Sequence, residues 1–146
     1  MAEQLKARIL LVDDEKQFLD TLSQRLEVRG LNVESVTSGE DALRMVKDKS
    51  FDAIVLDLTM PGLDGIEVLH RIKAEHPDLQ IIMLTGHATV DKTVAAMKEG
   101  AVDFLEKPVD INTLINKIDE AKRRHIIIIN EKLEEKMKEI IETKSW

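Results

Sequence analysis

Three unbroken apolar tetrads, at residues 9–12 (Ile-Leu-Leu-Val), 53–56 (Ala-Ile-Val-Leu) and 81–84 (Ile-Ile-Met-Leu), recur along the chain with helical patterns between them. A strand with one face in water alternates apolar and polar side chains, so an unbroken run requires cover on both faces. Residues 102–105 form a near-continuous run, interrupted by Asp103, and residues 33–36 form a weaker one. Five short strands separated by helices imply a parallel sheet with helices on both sides. At 146 residues the chain is long enough to bury such a core as one domain.

The segments between the runs carry helical spacing. Phe18, Leu19, Leu22 and Leu26 form one stripe, with Gly30 placed to stop the helix; Ala42, Leu43 and Val46 form the next. Ser38 with Asp41, and Asp64 with Glu67, read as capping boxes, the second opening a stripe of Ile66, Leu69 and Ile72. A fourth helix is expected from about Thr89 to Lys98, ending at Gly100. Right-handed crossovers then give an α/β fold of flavodoxin-like type, a doubly wound five-stranded parallel sheet of expected order 2-1-3-4-5. The last helix starts near Asp110; running to about Thr143 it spans about 50 Å, longer than so small a domain, which makes residues 122–146 a helical extension beyond a domain at 1–121.

Composition removes several classes. The chain has no cysteine, which excludes disulfides and thiol chemistry. Twenty-eight acidic against twenty-one basic residues leave a net charge of -7, the wrong sign for a free-standing nucleic-acid binder. No apolar run approaches the ~20 residues of a membrane span, and no signal-peptide pattern is evident, so the expected location is the cytoplasm.

In an open parallel sheet the ligand site lies beyond the carboxyl ends of the strands. Asp13, Asp14 and Glu15 follow the first strand, Asp57 ends the third, Thr85 follows the fourth, and Lys107 with Pro108 follows the fifth. Singly, each has a plain structural role as a cap, turn former or solvated side chain. Together they bring three aspartates, a hydroxyl and an ammonium to one edge. Three close carboxylates repel one another unless a cation joins them. Mg²⁺ prefers a few carboxylates with waters and a phosphate oxygen; with Lys107 it neutralises the charge of Asp13, Asp14 and Asp57.

The residues Asp13-Asp14-Glu15, Asp57-Leu58-Thr59-Met60-Pro61 with Gly65, Leu84-Thr85-Gly86 and Lys107-Pro108 resemble, in order and spacing, the receiver domains of bacterial two-component response regulators. The resemblance covers about residues 7–121. It implies that Asp57 accepts a phosphoryl group from a sensor histidine kinase. Asp14 and Asp57 would hold Mg²⁺ with the backbone carbonyl of Thr59, and Asp13 through a water. Lys107 and Thr85 would contact phosphoryl oxygens, and the Lys107-Pro108 peptide would be cis. Thr85 and Phe104 would form the switch; Phe104 has no hydroxyl, and plain core packing is its alternative role. Thr59 and His87 would tune phosphoryl lifetime, or simply be exposed loop residues. Such a protein would be no enzyme beyond its own phosphorylation and dephosphorylation.

Two other functions compete. Haloacid-dehalogenase-like phosphatases also form an aspartyl phosphate, but they carry a second Asp two residues after the acceptor, where this chain has Thr59. A receiver-like module that is never phosphorylated would have no need of Asp13, Asp14, Asp57, Thr85 and Lys107 together. His70, His76 and His125 lack metal-ligand spacing and are expected at the surface.

The extension is too short for a winged helix or an ATPase module, and Lys122, Arg123 and Arg124 are too few for a DNA contact. The run from Ala101 to Pro108 with a helix behind it looks like regulators whose receiver is joined to a larger output module, such as enhancer-binding transcription activators. Ile126, Ile129, Leu133, Met137 and Ile140 step by three, four, four and three, closer to an eleven-residue than a seven-residue repeat. The expectation is a homodimer, two parallel chains pairing through this segment with help from the fourth and fifth helices. A helix folded back on its own domain is the alternative.

Overall fold

The computed structural model describes residues 7–86 and 88–143. Strands β1 (Arg8–Val12), β2 (Asn32–Val36), β3 (Ala53–Leu56), β4 (Gln80–Thr85) and β5 (Asp103–Glu106) alternate with helices α1 (Lys16–Val28), α2 (Gly39–Asp48), α3 (Gly65–Glu75), α4 (Val90–Lys98) and α5 (Ile111–Thr143). One sheet forms in the order β2-β1-β3-β4-β5, with every neighbouring pair parallel. This is the expected flavodoxin-like order.

The three tetrads are wholly buried because helices lie on both faces. Leu10, Val12, Ile54, Leu56, Ile81 and Met83 point into a core shared with α2, α3 and α4. Ile9, Leu11, Ala53, Val55, Ile82 and Leu84 point the other way, into a core closed by α1 and α5. Each fully buried Leu or Ile contributes about 1.5–3 kcal/mol, so the central strands hold the site edge rigidly. β5, whose sequence reads as near-continuous, is only half-buried. It is an edge strand paired with β4 alone.

Local signals explain the ends of the helices. The Ser38 hydroxyl accepts from the Asp41 N–H at 3.2 Å, and Asp64 Oδ1 accepts from the Glu67 N–H at 2.9 Å. Thr89 caps α4 in the same way at 3.2 Å. Gly100 turns the chain out of α4 at φ +106°, a conformation that costs a residue with a Cβ about 1 kcal/mol or more. In α3 the buried face is Val68, Leu69 and Ile72, with Ile66 only partly covered.

α5 runs unbroken for 33 residues. Leu114, Ile118 and Ala121 bury its first part. Further along, Lys132 Nζ lies 2.5 Å from Asp78 Oδ2, and the residues from Leu133 to Thr143 are exposed. No described helix is long and apolar enough to cross a membrane.

Candidate functional site

The order of the sheet reverses between β1 and β3, and the residues that follow these strands face each other there. Val12 is in register with Leu56, and the Asp57 N–H donates to the Val12 carbonyl at 2.8 Å. Asp13 and Asp57 therefore emerge side by side, 3% and 5% exposed, while Asp14 is exposed beside them. One carboxylate oxygen from each of the three lies within 4.8 Å of the others.

Lys107 reaches this cluster from the far side. Thr85 is paired in register with Glu106, and the Lys107 N–H donates to the Thr85 carbonyl at 2.8 Å. The Lys107-Pro108 peptide is cis. Lys107 Nζ lies 2.6 Å from Asp13 Oδ2, 3.4 Å from Glu15 Oε1 and 4.2 Å from the centre of the Phe18 ring. Thr85 is buried at the end of β4. Phe104, on the neighbouring strand, is half-buried against the α2–α3–α4 core.

The electrostatics follow from this crowding. Burial lifts the Asp57 carboxyl, and the charge of Asp13 lifts it further. Lys107 and the Thr59 N–H, which donates to Asp57 Oδ1 at 3.3 Å, offset this only in part. The carboxyl is pushed up from an ordinary 3.8 to about 6. Burial also raises Asp13, against the opposing pull of Lys107 and the Glu15 N–H. Burial works to lower Lys107, but the bond to Asp13 and the surrounding carboxylates outweigh it and the ammonium is held above its usual range. One ammonium against three aspartates leaves the edge short of about two positive charges. A hard divalent cation with oxygen ligands fits that donor set.

Gly65 secures the loop that follows Asp57. A Cβ there would lie 2.3 Å from the Asp57 carbonyl and 2.6 Å from the Leu58 Cα, while the Gly65 N–H donates to the Leu58 carbonyl at 2.9 Å. Only glycine allows α3 to start this close to the backbone of Asp57 and Leu58.

A model of the response regulator receiver domain matches residues 9–119. The chain belongs to this family. Among curated relatives, the receiver is 40% identical over 119 residues to the transcriptional regulatory protein FixJ of Bradyrhizobium diazoefficiens, covering 82% of this chain and 58% of FixJ. A solved receiver domain from Clostridium thermocellum superposes with TM-score 0.80 at 36% identity, over 84% of this chain and 98% of that one. A chain described as adenylate cyclase from Rhodopirellula baltica superposes with TM-score 0.80 at 30% identity, over 97% of this chain and 100% of that one. The receiver spans between about a quarter and three fifths of the length of the curated relatives it matches.

The receiver fold brings Asp13, Asp14, Asp57, Thr85 and Lys107 to one edge, as their strand-end positions predict. Thr59 is exposed, two residues after Asp57. His87 lies outside the described residues. The Phe18 ring and Glu15 carboxylate that flank Lys107 were not singled out in the sequence as lysine partners. Phe18 reads there as one member of an apolar stripe, and nothing in its spacing marks an inward lysine 89 positions away. Two histidine expectations need correction. His70 is exposed, with Nδ1 2.7 Å from Glu99 Oε2, but His76 and His125 are partly buried. His125, on the domain-facing side of α5, has Nδ1 3.8 Å from Asp52 Oδ1, because the helix continues across the amino-terminal end of the sheet.

Proposed function

We propose that this receiver is a phosphorylation-dependent signalling switch with Asp57 as the acceptor. A sensor histidine kinase is the donor. The Asp57 carboxylate attacks the phosphorus of a phosphohistidine; the P–N bond breaks, an O–P bond forms, and the imidazole leaves with a proton. The observation that carries this reading is the convergence of three aspartates and Lys107 at the β1/β3 switch point, with more negative charge than the lysine can balance. Asp13, Asp14 and Asp57 are the residues that would hold Mg²⁺, with Thr59 offering a backbone carbonyl. The ion, when bound, supplies charge that neutralises phosphoryl oxygens.

The chain's own residues do the positioning. Asp13 holds the Lys107 ammonium within reach of the acceptor, and a phosphoryl group on Asp57 competes for it with two or three new anionic oxygens. The Thr85 hydroxyl bonds another oxygen. Its inward movement vacates space next to Phe104, which turns from the edge of the sheet toward the core. Phosphorylation thus biases the α4–β5 face. The output is control of a partner or of a module joined through α5, and the transcriptional regulators among the relatives favour transcription.

Beryllofluoride with Mg²⁺ tests the switch without a kinase. The expected result is a change in the amide spectrum at Thr85, Gly86 and Phe104 that Asp57→Asn abolishes. Turnover of free phosphomonoesters would instead favour a phosphatase, and an unchanged spectrum would favour a receiver-like module that is not phosphorylated.

A further inference from the structure

Three groups from the junction of β1 with α1 close around the Lys107 ammonium, and they are not equivalent. The Glu15 side chain, 3.4 Å away, is 66% exposed, so water screens its attraction. Asp13, 2.6 Å away, is buried and fixed, its Oδ1 accepting from the Glu15 N–H at 2.9 Å. It is the group from which a phosphoryl oxygen on Asp57 must draw the lysine. The third group is the Phe18 ring, whose centre lies 4.2 Å from Lys107 Nζ. Phe18 stands at the start of α1, half-buried, and packs against the core closed by α1 and α5. With Asp13, Asp57, Leu11, Leu19 and Val55 it lines a cavity of about 10 Å³ between the site and that core. A space of that size holds at most one water, so the floor beneath the ammonium is tight and mostly apolar.

We infer that Phe18 is a positioning residue for phosphoryl transfer, its ring face keeping the Lys107 ammonium in the site while the lysine changes anionic partners. The inference rests on the reading of Asp57 as the phosphoryl acceptor. A ring attracts a cation through the negative charge of its face and offers no lone pair. All three N–H groups of the ammonium therefore stay free for oxygens. A carboxylate in place of the ring would compete with the phosphoryl group for the lysine, and an aliphatic side chain would attract the ammonium far less. The Lys107 side chain is 13% exposed, so little water competes with the ring, which strengthens its pull. As the lysine swings from Asp13 to a phosphoryl oxygen, the ring is a contact it keeps.

Two measurements on the full chain test this. Without a phosphodonor, NMR of Lys107 reads the contact: the ring shifts the ε-methylene protons upfield, and Phe18→Leu abolishes the shift. With Mg²⁺ and acetyl phosphate, from which Asp57 takes the phosphoryl group as acetate leaves, the rate reads the role. Phe18→Leu is expected to slow phosphorylation about three- to tenfold, and Phe18→Tyr, which keeps the ring face, to stay within about twofold of wild type. Site-specific mono-, di- and trifluorination of Phe18 keeps the outline of the ring and drains charge from its face, so the rate should fall stepwise along that series. A ring that served only packing would leave it level. An absent ring shift, a Phe18→Leu rate equal to wild type, or a level fluorinated series overturns the inference while Asp57 stands. A wild type that takes no phosphoryl group fails the reading of Asp57 and this inference with it.

Discussion

At the scale of single residues, the site is defined by charge held in the wrong place for stability. A carboxyl lifted from 3.8 to about 6 is destabilising above pH 6. The shift sets an upper limit of about 3 kcal/mol, which solvent at the edge and coupling to Asp13 reduce to about 1–2 kcal/mol. The native state binds the proton more tightly than the unfolded chain, so metal-free wild type gains stability as pH falls from 7 through 6 toward 4. Asp57→Asn removes that gain. Denaturant unfolding in EDTA is therefore expected to show Asp57→Asn more stable than wild type at pH 7.5 by about 1–2 kcal/mol, with the difference shrinking by pH 5. Equal stabilities at both pH values would contradict the electrostatic reading. Lys107→Met leaves Asp13 without its partner and is expected to cost about 1–3 kcal/mol in the same assay; restoring the balance with Asp13→Asn in the double variant should recover part of it.

At the scale of elements, α3 starts so close to the end of β3 that no room remains for a Cβ at Gly65 beside the Asp57 and Leu58 backbone. Gly65→Ala forces the Leu58 and Asp57 backbones apart, with an expected loss of about 2 kcal/mol or more and a fall in the rate of phosphorylation. A normal melting point with normal phosphorylation would refute that constraint. Much of this was legible beforehand. Unbroken tetrads required a doubly covered parallel sheet, and strand-end positions alone placed the aspartates, Thr85 and Lys107 on one edge. What the sequence left open lies in long-range pairings that have no periodic signature. Phe18 belongs to an ordinary helical stripe until the fold sets it beneath Lys107. His76 and His125 look like surface residues until α5 crosses the bottom of the sheet.

At the scale of the whole molecule, a rigid sheet edge carries the chemistry and a long helix carries the connection away from it. Mg²⁺ bound only by the folded receiver raises stability in proportion to the logarithm of its concentration, so thermal unfolding should shift upward in millimolar Mg²⁺ for wild type and much less for Asp57→Asn. The most direct test of the acceptor is the intact mass of the protein after incubation with Mg²⁺ and acetyl phosphate, followed by mapping of the modified residue. The expected result is the gain of one phosphoryl group, on Asp57, lost in EDTA and absent from Asp57→Asn. No gain in mass, or a phosphoryl group carried by any other residue, would contradict it.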